Sequence, residues 1–74
     1  MPAAPDRDAI GLLELLLHEH PTLLSRAEII RELDFSEVAF EDSVAHLKRV
    51  GLVHELGGFY WATRSAIAAD DLKS

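Results

Sequence analysis

The chain has no cysteine. That excludes disulfides and thiolate metal sites and removes any sign of an oxidising compartment. It also has no apolar run near the ~20 residues that a membrane span requires. Residues 1–5, MPAAP, are too short and too uncharged to read as a secretory signal, so the expected location is cytoplasmic. Positive charge is scarce: 7 Lys and Arg stand against 13 Asp and Glu, for a formal net charge of −6. A field of that sign repels polyanions.

Chemistry-bearing patterns are missing as well. His18 and His20 lie two apart, do not share a helical face and have no third ligand nearby, so they read as helix-end histidines suited to the negative end of a helix dipole. Ser25 and Ser36 read as helix caps with no His and acid arranged around either, which argues against nucleophilic catalysis. Gly57-Gly58 falls between two strand-like runs and not before a helix, so it is no phosphate loop. The expectation is no enzyme, no cofactor and no metal.

What is present is a small globular chain. Its 74 residues are 49% apolar, enough for a core, although a chain this short buries only about 60% of its unfolded surface. Residues 1–5 read as a disordered tail, 6–64 as one domain, and 65–74 as a weak C-terminal helix and tail. Asp6 or Asp8 is placed to cap a first helix, which carries Ile10, Leu12, Leu13, Leu15, Leu16 and Leu17 and does not continue past Pro21. These six span an arc of roughly 200° on a helical wheel, about twice what one packed face needs. Leu12 and Leu15 are the surplus. Either the chain's own C-terminal segment covers them or a second protomer does, which makes them the dimer candidates.

Thr22-Leu23-Leu24 reads as a short extended link. Ser25 with Glu28 then forms a capping box, stapled by Leu24 and Ile29. The second helix is expected over residues 26–33. Asp34-Phe35 makes the turn, and Ser36 caps a third helix over 36–50. In that helix Phe40, Val44, Leu47 and Val50 share one face, and Phe35 with Phe40 forms a second staple. Gly51 stops it with positive φ. Strands over 52–56 and 59–62 flank Gly57-Gly58, a type I′ signal that pairs Leu56 with Phe59, Glu55 with Tyr60 and His54 with Trp61. The His54–Trp61 pair reads as cross-strand packing and not as a catalytic base. Either the Phe59/Trp61 face or the Tyr60 face packs inward. Ser65 is a candidate cap for a last helix through Ile67 and Leu72. The fold class is α+β: a three-helix core, a two-stranded hairpin and a short C-terminal helix.

Ser36, Phe40, Leu47 and Gly51-Leu52-Val53 are in register with a pattern of cap serine, apolar residue, leucine and Gly-Leu-Val. In this the chain resembles winged helix-turn-helix regulators of the multiple-antibiotic-resistance type. The Gly-Gly-Phe-Tyr stretch is similar to compact winged-helix modules appended to DNA-processing and chromosome-organising proteins. The resemblance covers roughly residues 8–63. It implies a transcription-regulator-type domain with helix 36–50 as the recognition helix in the major groove of double-stranded DNA. Arg26, Arg31, Lys48 and Arg49 would then contact phosphates, and the surplus first-helix leucines would form a dimer reading two half-sites.

The outward positions of that helix argue otherwise. Glu37, Val38, Glu41, Asp42 and Ala45 put three acids where the family offers donors, and no Arg or Lys sits at the hairpin tip. The alternative is an acidic protein–protein interaction module without DNA binding, with Val38 and Ala45 as the apolar centre of a surface for a basic partner. The same acid-first, base-last order also suits a solvated helix matched to its own dipole.

Overall fold

A computed structural model describes the backbone over residues 3–73 and the side chains over 7–72. The described residues form a small α+β domain with the element order α1 (Ala3–Glu19), β1 (Leu24–Ser25), α2 (Arg26–Leu33), α3 (Glu37–Arg49), β2 (Val53–Leu56), β3 (Phe59–Ala62) and α4 (Arg64–Lys73). The strands form one antiparallel sheet in the order β1-β3-β2. The short extended link is therefore a true edge strand, with Leu24 opposite Tyr60 and Ser25 opposite Phe59. No helix among these residues is long and apolar enough to cross a membrane.

Local chemistry sets the helix ends. The Ser25 amide donates to Glu28 Oε1 at 2.8 Å and Ser25 Oγ accepts from the Glu28 amide at 3.2 Å, completing the capping box. These bonds to Ser25 hold the Glu28 carboxyl below the usual glutamate range. Ser36 Oγ accepts from the Ala39 amide at 3.1 Å and starts α3. At the far end Gly51 takes φ 78°, which lets its amide reach the Lys48 carbonyl at 3.1 Å and the Leu52 amide reach the Leu47 carbonyl at 2.9 Å. Both bonds belong to the Schellman arrangement that satisfies the last carbonyls of a helix. Asp34 ends α2 in the left-handed region at φ 55°, a conformation that a short polar side chain tolerates better than most.

The core gathers Ala9, Leu12 and Leu16 of α1, Leu24, Ile29, then Phe40, Val44 and Leu47 of α3, and Val53, Tyr60, Ala62 and Ala66. The hairpin register is Leu56 with Phe59, Glu55 with Tyr60 and His54 with Trp61, as the turn chemistry requires; Gly57 and Gly58 both carry positive φ. The Tyr60 face is the inward one. Tyr60 is 7% exposed, and its ring meets Phe40 edge-on at 5.3 Å and 87°. Phe59 and Leu56 face outward. His54 and Trp61 lie on that outward side with ring centroids 5.6 Å apart.

Several expectations change. Helix α1 begins at Ala3, upstream of both Asp6 and Asp8, so neither starts it; residues 1–2 of the expected tail lie outside the described residues. Leu12 is fully buried in the protein's own core and cannot meet a second protomer. Val50 is exposed because the chain leaves α3 there, and Ser43 takes its place inside. The cap of α4 is Thr63, whose Oγ1 accepts from the Ala66 amide at 3.2 Å, so that Ser65 falls within the helix and Leu72 stays exposed. Helix α4 packs on α1 and β3, meeting Leu13 and Leu17. These are the apolar α1 residues that the C-terminal segment covers.

Ser43 is 1% exposed and its hydroxyl has no hydrogen-bond partner. A buried hydroxyl left unpaired loses its hydration without compensation. Ser43→Ala is therefore expected to raise unfolding stability by about 1 kcal/mol. Chemical denaturation checks this, and a destabilised Ser43→Ala would show that the hydroxyl is satisfied in solution.

Candidate interaction face

Seven of the nine candidate contact residues lie on α3, and the helix puts them on one side. Glu37, Val38, Glu41, Asp42, Ala45, Lys48 and Arg49 are all exposed, within an arc of roughly 140°. Opposite them Phe40, Ser43, Val44 and Leu47 are buried. Val38 is 70% exposed at the middle of the arc. The stripe thus runs from acids to bases along the helix, with Val38 and Ala45 set among them.

The two arginines of α2 part company. Five residues separate them, which turns the second about 140° round the helix from the first. Arg26 points to α3. Its guanidinium is bonded to Glu41 and stands 3.5 Å from Glu37, and it also lies 5.0 Å above the centre of the Phe40 ring. The Glu41 bond, outweighing some desolvation, raises the Arg26 pKa further. Arg31 instead lines a depression between α1 and α2 with Leu15, Glu19, Leu24, Glu28 and Glu32. It does not join the α3 face. Leu15 is half-buried in that same depression, which accounts for one surplus leucine without a second chain.

Glu55 enters the face unannounced. From β2 its carboxylate accepts from Lys48 Nζ at 3.1 Å, because the Gly51 reversal lays β2 back against the last turns of α3. Nothing in the helical period of α3 signals this pair; only the chain reversal brings Glu55 within reach. Arg49 Nη2 stands 3.2 Å from His46 Nδ1. Buried Tyr60 lies close enough to the group to respond to it. Desolvation raises its phenol pKa, Glu55 and Glu41 raise it further, and Arg26 and Lys48 oppose them. Surface ion pairs of this kind contribute little stability. Their consequence is electrostatic, since Arg26 and Lys48 each already have an anion.

No group of three His, Cys, Asp or Glu among the described residues is arranged to hold a metal ion. Comparison with family models, curated proteins and solved structures finds no match for this chain.

Proposed function

We propose that the domain is a winged helix-turn-helix used as a protein-binding module, with the outward face of α3 as the contact surface for a basic partner. The order α1, β1, α2, turn, α3, hairpin supports the winged-helix reading, with the β2–β3 hairpin as the wing. The observation that carries the binding reading is the pairing of cations with acids. Arg26 is taken by Glu41 and Glu37, and Lys48 by Glu55, while Asp42 remains on the exposed arc beside Val38. Docking α3 against phosphates would break those pairs and bring Glu37, Glu41 and Asp42 towards a line of negative charge. Docking a basic, partly apolar segment would use Asp42 and cover Val38 and Ala45. The net charge of −6 acts in the same direction.

The rival reading, a DNA-binding regulator domain with α3 in the major groove, is favoured by Lys48 and Arg49 at the exposed end of α3. Amide-shift NMR titrations of the whole chain separate the two. A lysine-rich amphipathic peptide is expected to shift residues 37–45, and Asp42→Lys to weaken its binding about tenfold. A mixed-sequence duplex at low salt is expected to leave the spectrum unchanged. Salt-sensitive duplex shifts centred on Arg26, Lys48 and Arg49, with none from the peptide, would replace this proposal with the DNA one.

A further inference from the structure

The exposed side of α1 carries a different pattern, independent of α3. Arg7, Ile10 and Glu14 recur at i, i+3 and i+7, so they share a face. Ile10 is 57% exposed in the middle of it; it borders a depression shared with His46 and Leu47 of α3, and more than half of its surface stays uncovered. Next to it stands Gly11. A glycine inside a helix weakens it relative to alanine, and here no packing within the domain calls for one. A Cβ built at Gly11 meets nothing within 4 Å, and its φ is not in the left-handed region. Among the described side chains neither Arg7 nor Glu14 is in an ion pair.

We infer that this face of α1 binds a second copy of the chain, antiparallel about a two-fold axis, with Ile10 of one protomer seated over Gly11 of its partner. The register follows from the sequence. Arg7 precedes Ile10 by three residues and Glu14 follows Gly11 by three, so the crossing that seats Ile10 on glycine also sets Arg7 of one protomer beside Glu14 of its partner. Two-fold symmetry repeats that pair on the other side. The missing Cβ at Gly11 lets the helix axes approach closely. The dimer face is thus centred on Ile10 and Gly11, with no contribution from Leu12.

Sedimentation equilibrium of the full chain, from low-micromolar to sub-millimolar concentration, tests this. The wild type is expected to associate to a dimer. Gly11→Leu, Ile10→Glu, Arg7→Glu and Glu14→Arg should each weaken association about tenfold or more, with unchanged far-UV circular dichroism. The double variant Arg7→Glu/Glu14→Arg restores both charge pairs and should recover dimerisation. Because Arg7 and Glu14 are exposed, the charge variants keep the test open even if Ile10→Glu does not fold. A wild type that stays monomeric throughout overturns the inference. So does a dimer indifferent to the single charge reversals, or one that the double reversal fails to restore.

Discussion

Phe40→Ala is expected to remove a large share of the stability of this protein. Phe40 is 0% exposed and stands where α3, the sheet and α2 meet: edge-on to Tyr60 at 5.3 Å, and under the Arg26 guanidinium. Truncating a buried phenylalanine to alanine costs about 3–5 kcal/mol, from lost transfer energy and the cavity left behind. A chain of 74 residues has only ~4–11 kcal/mol in total. At ~4–8 °C per kcal/mol for a domain of this size, the midpoint of thermal unfolding should fall by at least about 12 °C. Phe40→Leu keeps most of the volume and should lose about half as much or less. A Phe40→Ala midpoint within about 5 °C of wild type would mean that the core closes without this ring.

The second large effect is expected at Thr63, a residue with no apparent role in the hydrophobic pattern. It is 6% exposed and ties three segments together. Its Oγ1 donates to the Gly51 carbonyl at 2.8 Å and accepts from the Ala66 amide at 3.2 Å, while its own amide donates to the Leu52 carbonyl at 3.0 Å. One hydroxyl therefore caps α4 and clamps the end of the hairpin to the reversal after α3. Thr63→Val preserves shape but leaves a carbonyl and a helix-terminal amide without partners. The loss of the cap and of the buried bond together should cost about 2–4 kcal/mol. Thr63→Ser keeps both bonds and should stay within about 1 kcal/mol of wild type. Denaturant melts give the energies, and hydrogen exchange at Ala66 reports the cap directly. Equal stability of Thr63→Val and Thr63→Ser would remove the hydroxyl from this account.

Both residues mark where sequence reading succeeds and where it stops. Phe40 is legible because a cap serine, a staple partner and a helical period all point to the same inward position. Thr63 is not, because its value lies in bonds to Gly51 and Leu52, more than ten residues earlier in the chain. Ser65, nearer the apolar residues of the last helix, is the more obvious cap from sequence. The helix starts only after the strand has delivered Thr63 against the α3 reversal, so the cap is chosen by that contact.

The candidate face divides in the same way. The helical period alone places Glu37, Val38, Glu41, Asp42, Ala45, Lys48 and Arg49 on one exposed arc. It says nothing about which cations are already paired. Arg26 and Arg31 look equivalent in sequence, yet the turn of α2 sends one to α3 and the other to the α1 side. Leu12 and Leu15 are surplus on a wheel that assumes one packed face. In the fold α1 is covered from several sides, by α3, α2, the sheet and α4, so Leu12 goes to the core and Ile10 is left outside.

The sequence by itself determined the elements that local chemistry can settle: the capping box at Ser25, the α3 start at Ser36, the glycine stop at Gly51 and the hairpin register about Gly57-Gly58. Each rests on hydrogen bonds or backbone angles within a few residues. Only the tertiary structure decided which hairpin face turns inward, which strand Leu24-Ser25 pairs with, which cap starts α4 and which anions hold Arg26 and Lys48. Those outcomes depend on groups far apart in the chain meeting across a core, and a local period carries no information about what stands opposite.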